Sequence, residues 1–183
     1  MEQVGFIRSK QEIKYLILYI AERLIAPVPI EGMQELTMCD PAVDFFDFSE
    51  CLSYLVDTGH MTCSEDGLYA VTEKGVQNGR ACASELPYSV RLRAQKLTEE
   101  YNQRIKRQKQ VQSFIAPGKS GTFQVSLCFN DDDCSPLWHM ELNVPDEAHA
   151  KALVNSFQKS PERMYGDLIR FLFERAENRQ QEE

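Results

Sequence analysis

The chain has 183 residues, 43% of them hydrophobic and 26% charged, with a formal net charge of −8; this balance belongs to a globular protein and excludes a disordered or low-complexity one. No apolar run approaches the roughly 20 residues that cross a bilayer, and the Met-Glu-Gln-Val start lacks the basic-then-apolar plan of a signal peptide, so a cytoplasmic protein is expected. The charge is unevenly spread: residues 1–86 hold 6 basic against 14 acidic side chains, 87–121 hold 8 against 2, and 122–183 hold 6 against 12.

Ser9-Lys10-Gln11-Glu12 has the capping-box pattern, and Ile13, Leu16, Ile17, Ile20 and Leu24 follow at helical spacing until Pro27 and Pro29 stop the helix. A short second helix around 33–38 ends at Asp40-Pro41. Asp44 is placed to cap a third, with Phe45, Phe48, Leu52, Leu55 and Val56 as its apolar stripe and Gly59 closing it. Residues 61–63 and 68–71 read as a small hairpin turned at Asp66-Gly67, after which Thr72 caps a helix over 73–86. Helix, short helix, turn, helix, two-stranded wing, helix is the order of a winged helix-turn-helix.

Pro87 opens a charged helix reaching to about Gln110, with a narrow apolar seam of Val90, Ala94, Leu97, Tyr101 and Ile105. Such a seam fits packing within the chain or a homodimer helix equally. Residues 117–121 read as a turn or linker; Gly118-Lys119-Ser120 lacks the upstream glycine of a phosphate-binding loop. Phe123, Val125, Leu127 and Phe129, then Trp138, Met140, Leu142 and Val144, alternate with polar residues as two strands around an Asn130-Asp131-Asp132-Asp133 turn. Two helices are expected to cover them, one using Ala150, Leu153, Val154 and Phe157, the other Met164, Leu168, Phe171 and Leu172 after Ser160-Pro161. The fold class expected is therefore α+β: a winged helix-turn-helix over 1–86, a connecting helix over 87–110, and a small α+β domain over 111–183.

The arrangement resembles an uncharacterised bacterial winged-helix family, domain of unknown function 4364. The residues that carry the likeness are the helix 15–24, Cys51-Leu52-Ser53-Tyr54-Leu55-Val56-Asp57-Thr58-Gly59, Val71-Thr72-Glu73-Lys74-Gly75, Met140-Glu141-Leu142-Asn143-Val144-Pro145, Ala150-Lys151-Ala152 and Pro161-Glu162-Arg163-Met164-Tyr165. The resemblance implies a winged-helix first half, similar to PadR- or MarR-type regulators, and a small α+β second half. It brings no activity with it.

In a winged helix the third helix enters the major groove. Its outward positions here are Asp47, Glu50, Tyr54 and Asp57, with Ser53 beside them, and the wing tip is Glu65-Asp66. No Lys or Arg occurs from Asp40 to Asp66, so the helix has no basic neighbours along the chain, and carboxylates oppose the phosphate neutralisation that drives DNA affinity. Three readings of the long helix stay open: Arg91, Arg93, Lys96, Arg104, Lys106 and Arg107 contact phosphates, pair with an acidic face of another subunit, or simply solvate the surface. The functional expectations are a dimeric DNA-binding transcription regulator using Ser53, Tyr54 and those basic residues, and a winged helix turned to protein contact through Asp47, Glu50, Tyr54 and Asp57; a small-molecule sensor using the C-terminal domain is compatible with either and has no residue to carry it. No enzyme motif surrounds His60, His139 or His149, no cofactor or metal site is expected, and Asp131-Asp132-Asp133 reads as a solvated turn. The six cysteines form no C-x-x-C pair and are expected as buried free thiols.

Overall fold

The computed structural model describes residues 6–133 and 135–180, with side chains through residue 177. The chain divides into two compact units, Met1–Ile105 and Lys106–Glu183, each combining helices with one antiparallel three-stranded sheet. The α+β class holds.

In the first unit α1 (Lys10–Ala21) begins where the Ser9 hydroxyl accepts from the Glu12 N–H, and the Glu12 carboxylate accepts from the Arg8 N–H at 2.7 Å. β1 (Val28–Pro29), α2 (Ile30–Thr37) and α3 (Phe45–Asp57) follow, the last capped by Asp44 accepting from the Asp47 N–H. β2 (Met61–Cys63) and β3 (Leu68–Val71) form the expected hairpin around Gly67, whose φ of 74° is the left-handed conformation glycine adopts without a Cβ penalty. The sheet order is β1-β3-β2, with Val28 opposite Tyr69. β1 was invisible to periodicity because two residues beside prolines carry no alternation. α4 (Glu73–Cys82) starts at Thr72 and gives way to a single 3₁₀ turn at Ala83–Glu85, earlier than the continuous helix expected to 86. It lies so close to the end of α3 that a Cβ at Gly75 would collide with the His60 carbonyl.

One continuous core joins these elements, with Leu16, Ile17, Ile20, Met33, Leu36, Phe48, Leu52 and Met61 essentially buried. Each such side chain contributes about 1.5–3 kcal/mol on burial. α5 (Tyr88–Gln110) lays Val90 and Ala94 into the same core, and Leu97, Tyr101 and Ile105 pack against it. The narrow seam is therefore filled by its own chain. Phe45, assigned to the stripe of α3, is exposed; Cys51 takes the inward place instead.

In the second unit β4 (Val111–Pro117), β5 (Phe123–Asn130) and β6 (Pro136–Val144) form a sheet in that order, so the strands number three rather than the expected two. Residues 117–121 are thus the connection of a hairpin and not a linker. α6 (Glu147–Lys159) covers the sheet through Ala150 and Phe157, closing a small core with Val125, Leu127 and Phe129. Trp138 stacks edge-on against Phe157, with ring centroids 5.5 Å apart. α7 (Pro161–Gln180) does not do what its pattern promised. Met164 and Tyr165 pack on the core, whereas Phe171 and Leu172 are exposed.

The cysteines are less uniform than expected. Cys51 is buried and Cys63 is exposed; Cys39, Cys82 and Cys128 are half-buried, and Cys134 lies outside the described residues. Burial pushes the Cys39 thiol up to about 11, which keeps it protonated and unreactive.

Candidate nucleic-acid interface

The outward face of α3 carries Glu50, Ser53, Tyr54 and Asp57, all exposed, with Asp47 half-buried at its first turn. The neighbours that sequence order hid come from other helices. Lys10, at the start of α1, reaches Asp47 at 3.0 Å and Glu50 at 2.6 Å. Hydrogen bonds to these two carboxylates hold its ammonium charged well above the ordinary lysine range. Lys14, one turn further, sits 4.2 Å from the centroid of the Tyr54 ring. Lys74 of α4 donates to the Thr58 carbonyl at the C-terminal end of α3. Three of the six basic side chains in residues 1–86 thus gather around this helix, so the expectation that it lacks basic neighbours is corrected. Spacing alone showed that Lys10 and Lys14 share a face of α1. It could not show that α3 packs beside that face.

The end of α3 is clasped to α4 by His60. Its Nδ1 lies 2.8 Å from the Thr58 hydroxyl and its Nε2 2.6 Å from the Asn78 amide nitrogen, while Thr58 donates to the Tyr54 carbonyl at 2.7 Å. Donor and acceptor roles are mutually consistent only for a neutral ring with its proton on Nδ1, given that Asn78 donates through nitrogen. Burial, then the Lys74 charge, lowers the His60 pKa and favours the neutral form.

The acidity that remains is local. Asp57 on α3 and Glu65 and Asp66 at the hairpin tip are exposed and make no ion pair among the described residues.

The basic residues of α5 are mostly committed. Arg93 bonds the fully buried Asp40 at 2.5 Å, Arg104 bonds Glu35 at 2.6 Å and stacks on Tyr101, and Arg107 bonds Glu162. Arg91 is half-buried and lies over the Tyr88 ring, and Lys96 faces Glu100 at 4.0 Å. Lys106 is exposed. Most of the basic side chains of α5 therefore have acidic or aromatic partners within the chain, with Arg93, Arg104 and Arg107 each in an ion pair.

Among the described residues no group of three or more His, Cys, Asp or Glu is arranged to hold a metal, and no helix is long and apolar enough to cross a membrane. The family described as "Domain of unknown function (DUF4364)" matches residues 13–172, from α1 through most of α7. The chain belongs to that family. The match spans both units, so the N-terminal helices and the C-terminal sheet are parts of one family architecture. No curated protein and no solved structure matches the chain.

Proposed function

We propose that the N-terminal unit is a winged helix-turn-helix and that the protein is a transcription regulator docking on DNA through α3. The supporting observation is the geometry around that helix: α3 follows α2 after the connection 38–44, presents Ser53 and Tyr54 outward, and has Lys10, Lys14 and Lys74 along its flanks. Lys10 offsets one of the two charges of Asp47 and Glu50, which lowers the repulsion toward phosphates at the first turns of α3. Ser and Tyr hydroxyls bond base edges or phosphates, and flanking lysines supply the salt-sensitive part of affinity.

A fluorescence titration against mixed genomic DNA at about 50 mM salt tests the reading, since nonspecific contacts are strong there. Binding should weaken steeply as salt rises and should be lost when Lys10, Lys14 and Lys74 are all changed to Glu. No binding by the wild-type chain would sink it.

A second reading is protein contact, and the observation favouring it is Phe46. This ring is 81% exposed at the start of α3, edge-on to Phe45, between Asp44 and Asp47. A partner with a basic rim and an apolar pocket would suit it. Loss of DNA binding in the wild type would move the assignment to this reading.

A further inference from the structure

Where α1, α3 and α4 meet, the first unit holds a cleft of about 290 Å³. At roughly 30 Å³ for each water-sized group, that space takes about ten heavy atoms, the size of a small organic molecule. Leu18, Leu55 and the rings of Tyr15 and Tyr54 give it apolar walls. The walls are held in place without a ligand. α4 approaches α1 so closely at Gly79 that an added Cβ would lie 3.3 Å from the Leu18 Cβ, and His60 ties the end of α3 to Asn78. A preformed site spares its ligand the cost of ordering it.

Charge says what kind of ligand fits. The chain carries 28 acidic residues against 20 basic ones, yet among the described residues the cleft is lined by Lys14 and by no carboxylate. Lys10, one turn earlier on α1, is held by both Asp47 and Glu50, whereas Lys14 makes no ion pair among the described residues. Its ammonium lies 4.2 Å from the centroid of the Tyr54 ring, a contact that leaves its N–H donors unspent. The carbonyls at the C-terminal end of α3 would repel an anion, but they are already taken. That of Tyr54 accepts from the Thr58 hydroxyl, and that of Thr58 accepts from Lys74. Gln11 and Tyr15 add side-chain donors that no described residue uses.

We propose that this cleft binds a small organic carboxylate, a monoanion of about ten heavy atoms with an apolar ring or chain. The carboxylate meets Lys14, and the apolar body lies against Tyr15, Leu18 and Leu55. One lysine among neutral donors matches one negative charge; a phosphate dianion would leave its second charge without a partner. The site lies wholly within the N-terminal unit, and the inference does not rest on DNA docking.

Amide NMR on the isotope-labelled full chain tests it. Benzoate and hexanoate serve as a ring and a chain of similar size, and acetate and inorganic phosphate as anions without an apolar body. Benzoate, hexanoate or both should give saturable shifts centred on residues 11–18, 54–60 and 78–82, with a Kd of about 1 mM or tighter. Which of the two binds distinguishes a ring from a chain. Acetate and phosphate should bind at least about tenfold more weakly, lacking apolar surface to bury. Lys14→Gln should weaken the bound probe about tenfold, as expected when a charge-assisted contact is lost. Lys106→Gln, on α5, should leave its affinity unchanged. No saturable shift with either larger probe, shifts centred elsewhere, phosphate bound as tightly as benzoate, or an unchanged affinity in Lys14→Gln would each overturn the proposal.

Discussion

The two units handle their apolar residues in opposite ways. In the first, helices from four parts of the chain close around a single core, and even the long α5 gives its seam to that core. In the second, one helix covers a three-stranded sheet, five side chains make the buried cluster, and the last helix leaves Phe171 and Phe173 outside. The contrast lies in topology as well as in length. The first unit wraps α5 back over itself, whereas the second spends its final helix beyond its own sheet. The lesson is that helical amphipathicity reports that a face will be covered and does not say by which chain.

The largest effect that would sharpen this comparison is expected at Phe157. It is fully buried and holds α6 to the sheet through Trp138. Phe157→Ala should cost about 3–5 kcal/mol, more than a core of five buried side chains can absorb. Calorimetry should show the C-terminal transition lost or moved far down while the N-terminal one stays in place. A single transition that moves down as a whole would break the contrast, because the units would then be cooperating.

A somewhat smaller effect is expected within the first unit at Arg93. Asp40 is wholly buried, caps the Ala42 N–H, and has Arg93 as its cation. Arg93→Ala strands that carboxylate and should cost about 3 kcal/mol in urea unfolding, the low end for a broken buried pair because the guanidinium is a third exposed. Arg93→Lys should recover only part of this, since a lysine cannot reproduce the geometry of a guanidinium. If Arg93→Ala unfolds at the wild-type midpoint, the pair is decorative and α5 is held by apolar contact alone.

The smallest effect concerns pH. His60 binds a proton less readily folded than unfolded, so its contribution to stability is complete above its ordinary pKa of 6.5 and is lost as pH falls through the lowered native value. The melting temperature of the wild type should therefore drop more between pH 7.5 and 5 than that of His60→Gln. Parallel curves would show that the clasp between α3 and α4 does not depend on the ring's charge.

Local chemistry was legible in the sequence wherever it is local in the structure. The caps Ser9, Asp44 and Thr72, the Asp66-Gly67 turn and the Pro161 start all stand where the spacing put them. β4 was missed because Val111-Gln112-Ser113-Phe114 follows a strongly helical run without a break, and its apolar residues Val111, Phe114, Ile115 and Ala116 do not alternate with polar ones. The Lys10 pairing with Glu50 spans 40 positions and exists only because α1 and α3 pack together. The acidic partners of Arg93, Arg104 and Arg107 were hidden for the same reason. Linear charge runs look free until folding brings acids against them.

The Asp40–Arg93 pair has one more consequence. Asp40 occupies the turn between α2 and α3, which fixes the angle at which α3 leaves α2, yet its anchor comes from α5. The turn that leads into α3 is therefore anchored by a side chain 53 positions further along the chain. A change that breaks the pair reaches α3 from α5, as a tiller acts on a rudder.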